Sequence, residues 1–133
     1  MDMTPEFILL AATLVLAVIQ IAAAAVARTL ELGAKWNAGP RDAEVPPPGR
    51  IAGRLIRAQA NLFETLPLFI AAVIMAHIAG KDGTTVTFVG THLYFFGRLL
   101  YVPIYAFGIP VLRSLVWIAS TVGLVMVIVA LFL

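Results

Sequence analysis

The sequence predicts an all-α integral membrane protein of a single domain, residues 1–133, built as a bundle of four helices. Three observations lead there. Hydrophobic residues make up 62% of the 133 positions and charged residues only 12%, too few to cover a soluble surface. The mean hydropathy is +1.01. The apolar residues fall into four long segments, and each is of a length that crosses a bilayer as a helix.

The first span is expected over about 5–27. Thr4 is placed to cap it, Pro5 suits its first turn, and Glu6 complements the positive end of the helix dipole. The start lacks a basic segment and a small-residue cleavage site, so the span is read as retained rather than as a signal peptide. Ala22–Ala25 offers a smooth strip for close helix contact. Residues 28–50 form the one long connection, predicted as a cytoplasmic loop. Its charges, Arg28, Lys35 and Arg41 against Glu31, Asp42 and Glu44, read mainly as a solvated surface, with Arg28 or Lys35 as the two that can reach a ligand. The breaker run Pro46-Pro47-Pro48-Gly49 closes it.

The second span is expected over 51–79, with a kink at Pro67. His77 near its far end reads as an interfacial residue. After the turn Gly80-Lys81-Asp82-Gly83, a third span is expected over 84–107, with His92 as a structural residue off its polar stripe. Gly108-Ile109-Pro110 turns the chain into a fourth span over 110–133. Of the nine basic residues, all but Lys81 lie in the long connection or towards the turn between spans three and four. The positive-inside rule therefore places that side in the cytoplasm and both termini outside. For a bacterial protein this means the inner membrane with periplasmic termini.

The functional signal lies in the stretch Arg50–Pro67. At 100° per residue, Arg54, Arg57, Asn61 and Glu64 share an arc of roughly 80° on one helix face. In the third span Tyr94, Arg98, Tyr101 and Tyr105 form a stripe roughly 60° wide. Arg113 and Ser114 open the fourth span at the same membrane side. Ionisable groups at membrane depth are costly unless they meet one another, a cavity or a ligand. Arginine forks bind carboxylates bidentately, and Glu64 suits an ammonium. A guanidinium beside a bound thiol favours its thiolate, the nucleophilic form. The gathering therefore suits a small zwitterionic anion with an apolar co-substrate arriving from the lipid. The chain has no cysteine, so a thiol must come from the substrate, and no disulfide or thiolate metal site forms. A net charge of +2 with its cations beside membrane spans gives no reason to expect nucleic-acid binding. Two other readings stay open: a small proton-coupled transporter using Glu64, and a non-catalytic scaffold in which Glu64 and the arginines lock the helices.

Arg54-Leu-Ile-Arg57-Ala-Gln59-Ala-Asn61-Leu-Phe-Glu64-Thr-Leu-Pro67 resembles the second-helix signature of the MAPEG family, membrane-associated proteins of eicosanoid and glutathione metabolism. Tyr94-Phe-Phe-Gly-Arg98-Leu-Leu-Tyr101-Val-Pro-Ile-Tyr105 resembles its third-helix pattern, and Arg113-Ser114 its pair at the start of the last helix. Ala38–Asp42 and Leu99–Gly108 resemble the bacterial branch. The resemblance implies a homotrimer with glutathione held between subunits near the cytoplasmic side. It further implies that Arg57, Gln59, Asn61 and Glu64 hold glutathione, that Arg54 supports its carboxylates or a neighbouring acid, and that Arg98, Tyr101 and Tyr105 line the site. Arg113, with Ser114, would stabilise the thiolate as it attacks a lipophilic electrophile or reduces a lipid hydroperoxide, with no metal involved. Two departures stand out: the first-helix arginine of eukaryotic members has only a loose counterpart in Arg28, and Gly53 stands where eukaryotic members often carry a charged residue.

Overall fold

The computed structural model describes residues 2–133 and contains five helices: α1 (Pro5–Leu32), α2 (Ala34–Ala38), α3 (Arg50–Ile78), α4 (Thr85–Ala106) and α5 (Pro110–Ala130). No strand occurs among the described residues. The long helices α1, α3 and α5 are each long and apolar enough to cross a membrane. The expected third span, α4, has the length but not the hydropathy, because His92, Arg98 and the tyrosines dilute its apolar run.

Thr4 caps α1 as the sequence requires, its Oγ1 accepting the Phe7 N–H at 3.3 Å. The helix continues past Ala27 to Leu32 and stops at Gly33, whose φ of 92° suits only glycine. The stretch expected as an open loop holds the short α2 and is tied down on its far side. Glu31 accepts the Gly49 N–H at 2.8 Å, which anchors the N-cap residue of α3, a glycine with no side chain to cap the first turn. Arg28 donates to the Pro46 carbonyl and pairs with Glu31 at 3.3 Å.

The helix α3 runs unbroken through Pro67, and α4 through Pro103. Each proline lacks an N–H and so frees the carbonyl one turn earlier. Leu10, Ala17, Leu62, Leu66, Phe69, Tyr94, Leu124 and Val127 form the core between the helices. Tyr94 belongs to this core rather than to a polar site. Its ring stacks on Phe69 at 3.9 Å and its hydroxyl bonds Thr65 at 2.9 Å, which satisfies the one polar atom it buries.

The packing of α4 on α5 is the most extensive helix contact, and glycines make it possible. A Cβ on Gly97 would stand 2.8 Å from the Ser120 Cβ, and one on Gly90 would stand 2.8 Å from the Gly123 carbonyl oxygen. Small residues of this kind let two backbones approach closely in lipid, where packing rather than hydrophobicity drives association. The approach matters for function because α5 carries Arg113 and Ser114.

The end of the molecule where α1 and α4 begin is closed on itself. Glu6 is buried, and its Oε1 accepts the Gly83 N–H at 2.6 Å and the Thr87 hydroxyl at 2.9 Å. His77 bonds Asp82 at 2.7 Å and packs against Phe7, and Lys81 donates to the Leu131 carbonyl at 2.9 Å.

Candidate active site

At the opposite end, α3, α4 and α5 bring their arginines together. Arg57 sits one turn after Arg54 on α3, and its Nε donates to the Tyr105 hydroxyl oxygen at 2.8 Å. Arg113 approaches the face of the same ring, 5.3 Å from its centroid, with Arg57 at 5.8 Å. Tyr105 therefore stands between two guanidinium groups, and its oxygen accepts from one of them. Arg54 donates to the Ala106 carbonyl at 3.1 Å, satisfying an orphan acceptor in the last turn of α4. Its partner in this structure is thus a backbone carbonyl, where an acid or a bound carboxylate was expected. Gly108 permits this contact, since a Cβ there would fall within 2.8 Å of the Arg54 guanidinium.

Two cavities meet at Arg113. One, of about 230 Å³, is lined by Arg54, Arg57, Tyr105, Arg113 and the turn Gly108–Pro110. The other, of about 370 Å³, is lined by Asn61, Tyr101, Arg113, Ser114, Trp117 and Ile118. No carboxylate lines either cavity among the described residues. Three guanidinium groups around one hollow, with no acid to neutralise them, favour an anionic occupant with planar oxygen pairs. The second hollow is mixed, with donors on one wall and Trp117 and Ile118 on the other.

Several expected residues stand elsewhere. Arg98 is 1% exposed and lines neither cavity. It lies behind the wall, donating to the Asn61 Oδ1 at 2.7 Å, with its guanidinium carbon 4.4 Å from the centroid of the Tyr101 ring. Glu64 is exposed on α3 and lines neither cavity. Gln59 is half-buried and lies roughly 140° around the helix from Arg54, on another face. Ser114 lines the larger cavity, but its hydroxyl proton is donated to the Pro110 carbonyl at 3.1 Å. Its Oγ can accept in this conformation. To donate, it must first leave that bond.

The side chain of Arg113 makes no hydrogen bond or ion pair among the described residues, the feature that sets it apart from Arg54, Arg57 and Arg98. Trp117 and Ile118 were not singled out as lining residues from the sequence. Their positions four residues beyond Arg113 and Ser114 place them on the same side of α5, a signal that was there to read.

A family model described as the MAPEG family matches residues 9–133. The chain belongs to the MAPEG family. That family includes glutathione transferases and peroxidases and uses glutathione, and it is a family of membrane proteins. This MAPEG protein is accordingly an integral membrane protein with an all-helical fold. No curated protein and no solved structure gives a match to the chain.

Proposed function

We propose that this MAPEG protein is a membrane-bound glutathione transferase or peroxidase that joins the glutathione thiolate to lipophilic electrophiles or reduces lipid hydroperoxides. The observation that carries the reading is the position of Arg113, unpaired and shared between a cavity lined by three arginines and a cavity with an apolar wall. Glutathione brings two carboxylates, one ammonium and one thiol. Its carboxylates suit Arg54 and Arg57. Its thiol then falls towards the larger cavity, where the Arg113 guanidinium favours the thiolate over the neutral thiol. In the transferase reaction the sulfur lone pair forms a bond to the electrophilic carbon. The leaving group departs with its electron pair, or a ring or double bond takes up the electrons and then a proton. Trp117 and Ile118 supply the apolar surface for such a substrate.

The reading extends to assembly and placement. The chain acts as a homotrimer of four-span protomers of the bacterial type, in an inner membrane, with α4 crossing as the third span and the termini on the periplasmic side. Burial of α4 among neighbours accommodates its low hydropathy, and the cationic side faces the cytoplasm. Gln59 and Glu64, which line neither of these two cavities, are then free to serve a site shared with a neighbour.

Purified protein in detergent should conjugate a chromogenic electrophile in a glutathione-dependent manner. Equal rates for the wild type and Arg113→Ala would remove Arg113 from the mechanism. A scaffold reading draws on the structural contacts of Arg54 and Arg98. It predicts that Glu64→Gln disrupts assembly more than binding, and a stable oligomer with weakened glutathione binding would count against it.

A further inference from the structure

Arg98 is the largest fully buried side chain in the protein, and it touches no carboxylate. A buried guanidinium without an anion is expensive unless its position serves something. One of its N–H groups meets the Asn61 Oδ1 at 2.7 Å, its charge lies against the Tyr101 ring, and two further nitrogens have no partner. Asn61 and Tyr101 both line the 370 Å³ cavity, which Arg98 itself does not reach.

A guanidinium only donates hydrogen bonds, so the atom of Asn61 that faces it must be the amide oxygen. This removes the usual ambiguity between the two ends of an asparagine amide. The amide nitrogen is the end left over. It makes no hydrogen bond among the described residues, and Asn61 is half-buried at the cavity wall.

We propose that Arg98 is a positioning residue: from behind the wall it holds the Asn61 carbonyl inward, turns the amide N–H groups to the cavity, and so commits that corner to an anionic or carbonyl acceptor. This rests on the glutathione reading of the cavity and adds a specificity to it. Asn61 meets the thiolate or a peptide carbonyl of the ligand and not its ammonium, so the ammonium is left to Glu64. Arg98 acts only through Asn61 and Tyr101 and touches no substrate atom.

The test compares Asn61→Asp, Arg98→Lys and Arg98→Met in purified full-length protein, with thermal unfolding in the absence of ligand and calorimetric titration with glutathione. Asn61→Asp gives Arg98 the anion it lacks and takes the donor away from the cavity. It should raise the unfolding midpoint while weakening glutathione binding about tenfold or more. In an Arg98→Met background the same change should no longer stabilise. Arg98→Lys, still a pure donor, should retain more glutathione affinity than Arg98→Met. Should Asn61→Asp lower the midpoint, or bind glutathione as tightly as the wild type, the proposal is overturned. A folded wild type that binds no glutathione overturns the reading of the cavity and the specificity given to Asn61. The Arg98 contact is then judged on the unfolding midpoints alone.

Discussion

The two ends of the helices treat their polar groups in opposite ways. At one end Glu6 takes bonds from Gly83 and Thr87, His77 pairs with Asp82, and Lys81 meets a carbonyl. At the other, Arg54, Arg57 and Arg113 surround a hollow without a carboxylate in its wall. The first end fastens α1 to the turn between α3 and α4. The second sets Arg54 and Arg57 on neutral acceptors and leaves Arg113 without a hydrogen bond among the described residues. A polar residue near a membrane boundary is therefore informative about function only once its partners are counted, because a cluster bonded to itself and one open to a cavity can use the same residue types.

The contrast is broken most severely at Arg113. Replacing it by alanine should lower turnover by about 10²–10³-fold, the usual scale for losing one electrostatic stabiliser of a developing or bound anion. Glutathione affinity should fall far less, and steady-state rates set beside calorimetric binding separate the two effects. The next largest effect should come from Gly97→Leu. A side chain there meets Ser120 and forces α5 away from α4, at a cost of about 1–3 kcal/mol in stability. Activity should fall with it because α5 carries Arg113, and a thermal scan alongside the assay would reveal an unchanged midpoint if the close approach were unimportant.

How much of this could be read beforehand depends on which dimension a residue's role occupies. Helix angles put Arg54, Arg57, Asn61 and Glu64 on one face, and the short turns at Gly80–Gly83 and Gly108–Pro110 fixed which helices lie side by side. Depth along the radius was invisible to the same arithmetic. Arg98 shares its stripe with Tyr101 and Tyr105, yet it lies behind the cavity wall while both tyrosines line a cavity. Gln59 shows the reverse failure, since its angle already set it apart from Arg54 and only the resemblance grouped them. The bond from Ser114 to Pro110 depends on a rotamer, and the bond between Glu31 and Gly49 spans a connection whose path no periodicity records.

Two smaller changes sharpen the comparison. Glu6→Ala leaves the Gly83 N–H without its acceptor and turns the Thr87 hydroxyl to the carbonyls of Thr84 or Lys81, and should cost about 1–3 kcal/mol without altering glutathione affinity. A shift in affinity equal to that of an arginine variant would mean that the two ends are not independent. Gly108→Ala should cost about 1–2 kcal/mol, because φ at Gly108 is 73°, and should push the Arg54 guanidinium from the Ala106 carbonyl. Glutathione affinity is expected to drop by several-fold at most, and an unaltered affinity would restrict Arg54 to its structural bond.

The central claim is that the cluster of arginines exists for a charged thiol peptide. Calorimetric titration of the detergent-solubilised protein with glutathione, at low and at high salt, tests it most directly. The account predicts saturable binding that weakens as salt rises, because carboxylate–guanidinium attraction is screened. Absence of any saturable heat at millimolar glutathione, from protein that is folded and unaggregated, would contradict it.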